Sequence, residues 1–172
     1  MIRGCYLAGH ATKVYHPWGG RRLRNMHYDG SFEVPASKQK VYDFATDPTK
    51  ITSIFPDVQD VKVIDRTNFT LKAKVGISFI KGMMDIKMNI VEEDPPRYVK
   101  MKAKGNGLSS SVELENSFTI EDGAGGNGSL VKWSADAKIA GLMASVGSRL
   151  IDAAAQKYVA EIIGSLKEKL SS

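Results

Sequence analysis

Residues 140–170, AGLMASVGSRLIDAAAQKYVAEIIGSLKEKL, decide the fold. Apolar residues recur here at every fourth position, and a second apolar row runs beside the first, which is the pattern of one buried face of an α-helix. The two rows are Leu142, Val146, Leu150, Ala154, Tyr158, Ile162, Leu166 and Leu170, and Met143, Ile151, Val159 and Ile163. Charged residues occupy the other side. The segment therefore predicts one amphipathic helix of about 30 residues, roughly 45 Å long.

Strand-like segments precede this helix. Six of them, between residues 58 and 139, alternate apolar and polar side chains with a period of two, and residues 28–34 form a seventh. Short turn sequences such as Asn106-Gly107 separate neighbouring segments and favour antiparallel pairing. Each predicted strand has one apolar face, and only the long helix is large enough to cover that face.

Two short helices are predicted between the first strand and the other six. Ser37 can cap a helix over residues 38–46, and Asp47-Pro48 can start a second one. The whole order predicts an α+β fold of the helix-grip type, in which a curved seven-stranded antiparallel sheet wraps around a long C-terminal helix. Such a sheet tends to leave a space beneath the helix, where a ligand can bind.

The positive charge is concentrated in the first 25 residues. They hold five of the 24 basic residues and no acidic residue, which leaves 19 basic residues to balance the 19 acidic ones. The domain of residues 26–172 is thus neutral, without the footprint of a nucleic-acid-binding protein. We interpret residues 1–25 as a disordered leader or a misassigned start, with Met26 as the first residue. A basic arm that contacts anionic lipid or a partner is the alternative.

The composition leaves little material for catalysis. Cys5, His10 and His16 lie in the leader, so the domain has only His27 and cannot build a zinc cluster. The glycine-rich residues 123–128 lead into a predicted strand, not the helix that a nucleotide loop requires. No stretch reaches the roughly 18 apolar residues of a membrane span, and no secretory signal is present. We therefore expect a cytoplasmic protein without catalytic residues, metal or cofactor.

Several inward-facing residues suit an apolar ligand. Methionine adapts to irregular apolar shapes, Asn116 interrupts an apolar row and can hydrogen-bond a ligand carbonyl or hydroxyl, and Trp133 offers a flat wall with an N–H donor. The predicted cavity residues are Phe55, Met84, Met88, Met101, Asn116, Phe118, Trp133, Met143 and Leu150. Ordinary core filling and, for Asn116, a structural amide or a local bulge are the alternatives.

From about residue 26 to residue 170 the chain resembles the CoxG family of carbon monoxide dehydrogenase, within the START/polyketide-cyclase (SRPBCC) helix-grip superfamily. The matching residues are Val34-Pro35-Ala36, Val41, Asp47-Pro48, Phe55-Pro56, Lys74-Val75-Gly76, Lys81-Gly82, Pro95-Pro96, Gly105, Gly107 and, most specifically, residues 140–151. We expect Gly141 and Gly147 to let the helix approach the sheet closely. Pro56-Asp57 stands where the family usually has Pro-Gly, so that turn is expected to differ.

The resemblance implies a non-enzymatic accessory protein of a molybdenum hydroxylase such as carbon monoxide dehydrogenase, with a lipid, isoprenoid or quinone in the cavity. Many family members continue into a C-terminal membrane anchor that is not found here, so at most peripheral contact with the inner face of the membrane is expected. The second hypothesis, motivated by the basic leader, is a docking or assembly protein for a redox enzyme without a ligand. The third is a cyclase or aromatase, for which only Asn116, Tyr28 and Ser111 offer polar groups inside.

Overall fold

The computed structural model describes residues 10–12 and 23–172. In chain order the strands are β1 (His10–Thr12), β2 (Leu23–Val34), β3 (Val58–Val63), β4 (Asn68–Ile77), β5 (Ile80–Asp94), β6 (Tyr98–Gly107), β7 (Ser110–Asp122) and β8 (Ser129–Gly141). The helices are α1 (Lys38–Thr46), α2 (Pro48–Thr52), a single 3₁₀ turn (Leu142–Ser145) and α3 (Ser148–Leu170).

All strands belong to one antiparallel sheet with the order β1-β2-β8-β7-β6-β5-β4-β3. The seven predicted strands, the two short helices and the long C-terminal helix are confirmed. The first predicted strand is longer than expected, because β2 begins at Leu23. Residues 10–12 add an eighth strand, with His10 opposite His27. The assignment of residues 1–25 as a leader stays a prediction, since 1–9 and 13–22 lie outside the described residues.

The two short helices are capped as their sequences predict. Ser37 Oγ accepts a hydrogen bond from the backbone N–H of Lys40 at 3.2 Å, and Asp47 Oδ1 accepts one from the N–H of Thr49 at 2.9 Å. These side chains satisfy donors that the first turn of a helix leaves without a partner. The caps hold α1 and α2 over one side of the sheet, where Val41 and Ile51 are buried.

The two faces of the sheet differ as the alternation predicts. Inward-facing side chains such as Phe69 and Met101 are almost completely buried. On the outer face, lysines of one strand pair with glutamates of the next, as in Lys104–Glu113 with 3.2 Å between Nζ and Oε1. Such exposed pairs each contribute only about 0.2–1 kcal/mol, so burial of the inner face is the main stabilising term.

The C-terminal helix is shorter than predicted, because helical structure does not continue from residue 140. Gly141 has φ of +85°, and a Cβ atom there would lie 2.2 Å from the Ser109 carbonyl oxygen. Only glycine fits this crossing of β8 over the β6–β7 turn. A 3₁₀ turn and an extended Val146 follow, and α3 begins at Ser148. The expected role of Gly147 is wrong, since nothing lies within 4 Å of its Cβ position.

Asp57 in the Pro56-Asp57 turn has φ of 56°, in the left-handed region that glycine favours. Aspartate is one of the few other residues that adopt this conformation at moderate cost. The departure from Pro-Gly is therefore compatible with a left-handed turn at this position.

Candidate ligand cavity

A cavity of about 250 Å³ lies between the sheet, the two short helices and the second half of α3. Its walls are apolar apart from one amide, and no titratable side chain lines it. The lining residues are Phe32, Val41, Ala45, Ile51, Ile54, Phe55, Leu71, Ile86, Met88, Met101, Ala103, Leu114, Asn116, Phe118, Ile120, Val131, Trp133, Ala135, Val159, Ile162, Ile163 and Leu166. A space of this composition favours an apolar occupant, because water there would find few hydrogen-bond partners.

Two polar atoms on the cavity wall have no hydrogen-bond partner within the described residues. They are Asn116 Oδ1 and Trp133 Nε1, and both are buried. Asn116 on β7 stands opposite Ala135 on β8, two residues from Trp133. Diagonal neighbours of this kind are roughly 7–8 Å apart. An unsatisfied buried polar group costs about 1–3 kcal/mol, so a ligand that bonds these atoms would recover that loss.

Gly30 makes room for the Trp133 indole. A Cβ atom on Gly30 would lie 3.1 Å from Nε1 of that ring, closer than ordinary packing allows. The indole therefore lies over the bare backbone of β2. This close contact positions the only N–H donor of the cavity wall that lacks a partner among the described residues.

Six of the nine predicted cavity residues line the cavity together: Phe55, Met88, Met101, Asn116, Phe118 and Trp133. Whether they bind a ligand stays a prediction. Their inward alternation places them correctly, because cross-strand partners on one face of a sheet converge on the same space.

The other three predicted residues lie elsewhere. Met84 and Met143 are buried, at 3% and 0% exposure, but they fill the interior beside the first half of α3. Leu150 is 49% exposed on the first turn of α3. The predicted apolar row that includes Leu150 starts at residue 142, and the interruption before Ser148 changes the phase of that row.

Sequence reasoning missed the contribution of the helices to the cavity wall. Val41 and Ala45 from α1, Ile51 and Ile54 from α2 and its C-terminal end, and four residues of α3 face the space. The signal was available in the apolar faces of these helices. Periodicity identifies which face is buried, but not whether the buried face packs tightly or borders a cavity.

Two tyrosines tie the covering helices to the sheet. Tyr42 Oη on α1 donates to Glu93 Oε1 at 3.1 Å, and Tyr28 Oη on β2 donates to Asp152 Oδ1 of α3 at 2.9 Å. Burial, followed by the bond to Glu93, raises the pKa of Tyr42 to about 12. Burial and the bond to Asp152 raise the pKa of Tyr28 still further. Both phenols therefore remain protonated donors near neutral pH.

The described residues contain no group of three or more His, Cys, Asp and Glu side chains placed to hold a metal ion. None of the helices in this part of the chain is both long enough and apolar enough to cross a membrane. The chemistry that the cavity offers is thus shape, apolar contact and one hydrogen-bond donor beside one acceptor.

The fold and the cavity place the molecule in the helix-grip class of the START/SRPBCC superfamily. The chain belongs to the CoxG family of carbon monoxide dehydrogenase, whose model matches residues 30–171. No curated protein matches the sequence.

Solved structures share the fold at low sequence identity. A conserved protein from Geobacillus kaustophilus is 17% identical, with a TM-score of 0.77, over 84% of this chain and 95% of that chain. A START superfamily protein from Mycobacterium smegmatis is 13% identical, with a TM-score of 0.66, over 88% and 98%. The Zhui aromatase/cyclase from Streptomyces sp. R1128 is 10% identical, with a TM-score of 0.62, over 86% and 94%.

Proposed function

We propose that this protein binds a hydrophobic small molecule, a lipid or a quinone-like compound, in the cavity beneath α3. The observation that carries the proposal is an apolar cavity whose only polar side-chain atoms without partners among the described residues are one acceptor and one donor. Burying an apolar ligand contributes roughly 25 cal/mol per Å² of surface removed from water. The two polar atoms would orient the ligand.

The two polar atoms restrict the chemistry of the ligand. The Trp133 N–H can donate to a carbonyl oxygen, and the Asn116 carbonyl can accept from a hydroxyl. A quinone, a quinol or the head group of a lipid alcohol or acid presents such groups on an otherwise apolar body. The cavity, near the lower end of the usual range of about 300–1,000 Å³, suits a compact ring or a short chain segment.

We propose a binding role without catalysis. General acid–base chemistry needs a titratable side chain within hydrogen-bond reach of the substrate. The cavity wall includes no histidine, cysteine, lysine or carboxylate among the described residues. Two fold relatives are named as aromatase/cyclases, but this likeness concerns the fold and does not extend to a catalytic residue here.

Membership of the CoxG family supports an accessory role beside a molybdenum hydroxylase of the carbon monoxide dehydrogenase type. In this proposal the protein holds an apolar electron carrier or lipid for the enzyme. A purified enzyme of this type is expected to bind the immobilised protein. No binding, with a ligand nevertheless present in the cavity, would separate the two parts of the proposal.

Native mass spectrometry of the purified full-length protein, followed by solvent extraction, tests the cavity directly. We expect either a stoichiometric lipid or quinone, or uptake of an added short-chain ubiquinone analogue or oleic acid. Asn116→Leu and Trp133→Phe remove one polar atom each and should each weaken uptake several-fold, by roughly 1 kcal/mol.

Asn106→Leu is the matched control, because Asn106 is exposed at the end of β6 and does not line the cavity. It should leave uptake unchanged. An empty protein that takes up neither probe contradicts the binding role and favours a docking role without a ligand.

A further inference from the structure

One end of the sheet carries exposed apolar side chains that the cavity does not use. This end consists of the β4–β5 turn, the β6–β7 turn and the connection from β8 to α3. Its exposed apolar residues are Leu23, Phe79, Met83, Leu142 and Leu150. Phe79 is 79% exposed, more than any other large apolar residue in the described part of the chain. We refer to these five residues as the apolar end.

Backbone contacts join these segments into one surface. A Cβ atom on Gly82 would lie 2.5 Å from Leu108 Cδ2, so the β6–β7 turn rests against β5. The N–H of Leu142 donates to the carbonyl of Ser109 at 3.1 Å, which joins the β8–α3 connection to the same turn. The β4–β5 hairpin is fastened to α3, because Gly76 N–H donates to Tyr158 Oη at 3.1 Å.

Phe79 occupies the tip of a projecting hairpin. β5 pairs with β6 only from Asp85 onward, whereas it pairs with β4 as far as Ile80. The end of the β4–β5 hairpin therefore extends beyond its neighbour. Two-residue turns ordinarily carry Gly, Asn, Asp or Ser. A phenylalanine there adds nothing to the core, since most of its side chain lies in solvent.

The charge around the apolar end has one sign. Lys74, Lys81 and Arg149 are exposed there, and residues 74–84, 105–112 and 139–151 contain no acidic residue. Within residues 10–12 and 23–172, none of the three cations forms an ion pair. Cations that lack counter-charges and surround protruding apolar side chains are complementary to an anionic lipid surface.

The opposite end of the sheet has a different charge pattern. Its turns carry acidic residues, and basic residues neutralise them in the pairs Arg66–Glu93, Arg97–Asp94 and Lys38–Asp122. Among the described residues of those turns, only Ile64 is strongly exposed and apolar, at 63%. An anionic surface would therefore orient the molecule with the apolar end towards it.

We propose that the apolar end docks on an anionic membrane surface. Phe79, Leu142 and Leu150 enter the interfacial region, while the lysines and Arg149 contact lipid phosphates. The side chains protrude from a convex end and do not line a groove, which fits the soft surface of a bilayer better than a protein partner. Residues of the cavity wall have no part in this surface. Docking and cavity binding are therefore separate measurements.

Flotation of the full-length protein with phosphatidylglycerol–phosphatidylcholine vesicles tests the proposal. We expect binding to these vesicles and little to phosphatidylcholine alone. Phe79→Ser should lower the bound fraction at least about fivefold through lost apolar insertion. Removing Lys74 and Lys81 together as K74Q/K81Q should weaken binding by about fivefold for each lysine.

Matched controls come from other parts of the same chain. Ile64→Ser removes an exposed apolar residue at the opposite end, and K62Q/K87Q removes two exposed lysines with the same change in net charge. Both should leave vesicle binding unchanged. Equal losses from these controls, or no vesicle binding by the unaltered protein, would overturn the proposal.

A second readout distinguishes insertion from adsorption. Phe79→Trp places a fluorophore at the hairpin tip, and vesicles with brominated acyl chains should quench its emission beyond the quenching of the unaltered protein. The other possible occupant is a second copy of the chain. If light scattering detects a dimer that Phe79→Ser dissociates, and the vesicles do not quench, the surface is an interface between copies and lipid docking is wrong.

Discussion

The space between the sheet and α3 is filled differently along the two halves of the helix. Beside the first half, Ile77, Ile80, Met84, Met143 and Ile151 are buried and form continuous core. Beneath the second half, the apolar side chains of α3 stay half-buried and border the cavity, opposite the small residues Ala45, Ala103 and Ala135. One amphipathic pattern therefore produces both a packed core and a cavity, depending on the size of the residues that face it.

Each half also has its own tyrosine–carboxylate bond. Tyr28 and Asp152 fasten α3 over the packed half, whereas Tyr42 and Glu93 fasten α1 at the side of the cavity. Arg66 supports the second bond, with 2.6 Å between its Nη2 and Glu93 Oε2. The walls of the cavity are thus held by polar bonds where close packing is missing.

The largest expected effect belongs to the packed half. Met143→Ala removes a side chain with no exposure and should lower the free energy of unfolding by about 2–5 kcal/mol, because the surrounding core cannot collapse fully. Leu150→Ala is the control from the same helical segment of the sequence. It is 49% exposed and should cost less than about 1 kcal/mol. Urea denaturation measures both, and similar losses would contradict the described phase of α3.

A smaller effect is expected from the bond beside the cavity. Tyr42→Phe should cost about 1 kcal/mol near neutral pH, since Glu93 keeps its contact with Arg66. The folded-state pKa of Tyr42 is about 12, above its ordinary value of 10. Its contribution is therefore complete below pH 10 and is lost as the pH rises towards 12.

Urea denaturation at about pH 9 and about pH 11.5 should show this loss in the unaltered protein and a smaller loss in Tyr42→Phe. Tyr28→Phe is the comparison in the packed half, where the pKa of Tyr28 is also raised. An unchanged pH dependence in Tyr42→Phe would mean that the bond to Glu93 is not maintained in solution.

The smallest change in stability is expected where the cavity is filled. Ala135→Leu places a larger side chain beside Asn116 and should change the free energy of unfolding by less than about 1 kcal/mol, because the space already exists. Uptake of a quinone analogue should nevertheless fall by about tenfold or more. A loss of stability as large as that of Met143→Ala would indicate that no cavity is present at this position.

Much of the fold could be predicted from local pattern. Period-two alternation identifies β4 to β8, and the caps at Ser37 and Asp47 locate the starts of α1 and α2. The start of α3 could not be predicted, because its apolar row continues back to Leu142 through a segment that Gly141 forces into another conformation. That constraint comes from the Ser109 carbonyl, which is distant in the sequence.

The candidate site was predictable only in part, for a related reason. Alternation places Met88, Met101, Phe118 and Trp133 on the inner face, and the structure brings them to one cavity. The same alternation places Met84 on that face, yet Met84 fills core. Whether an inward side chain borders a space depends on the volume of its partners across the layer, which no single strand or helix encodes.

The amino-acid sequence by itself determined the elements, their apolar faces and the antiparallel order of the sheet, because hydrophobic periodicity, helix caps and short turns act between near neighbours. Only the tertiary structure decided where the core is packed and where it is hollow, which polar atoms lack partners, and that the exposed apolar residues gather at one end. Those features depend on side chains from distant segments, whose volumes and charges combine only when the sheet and α3 come together.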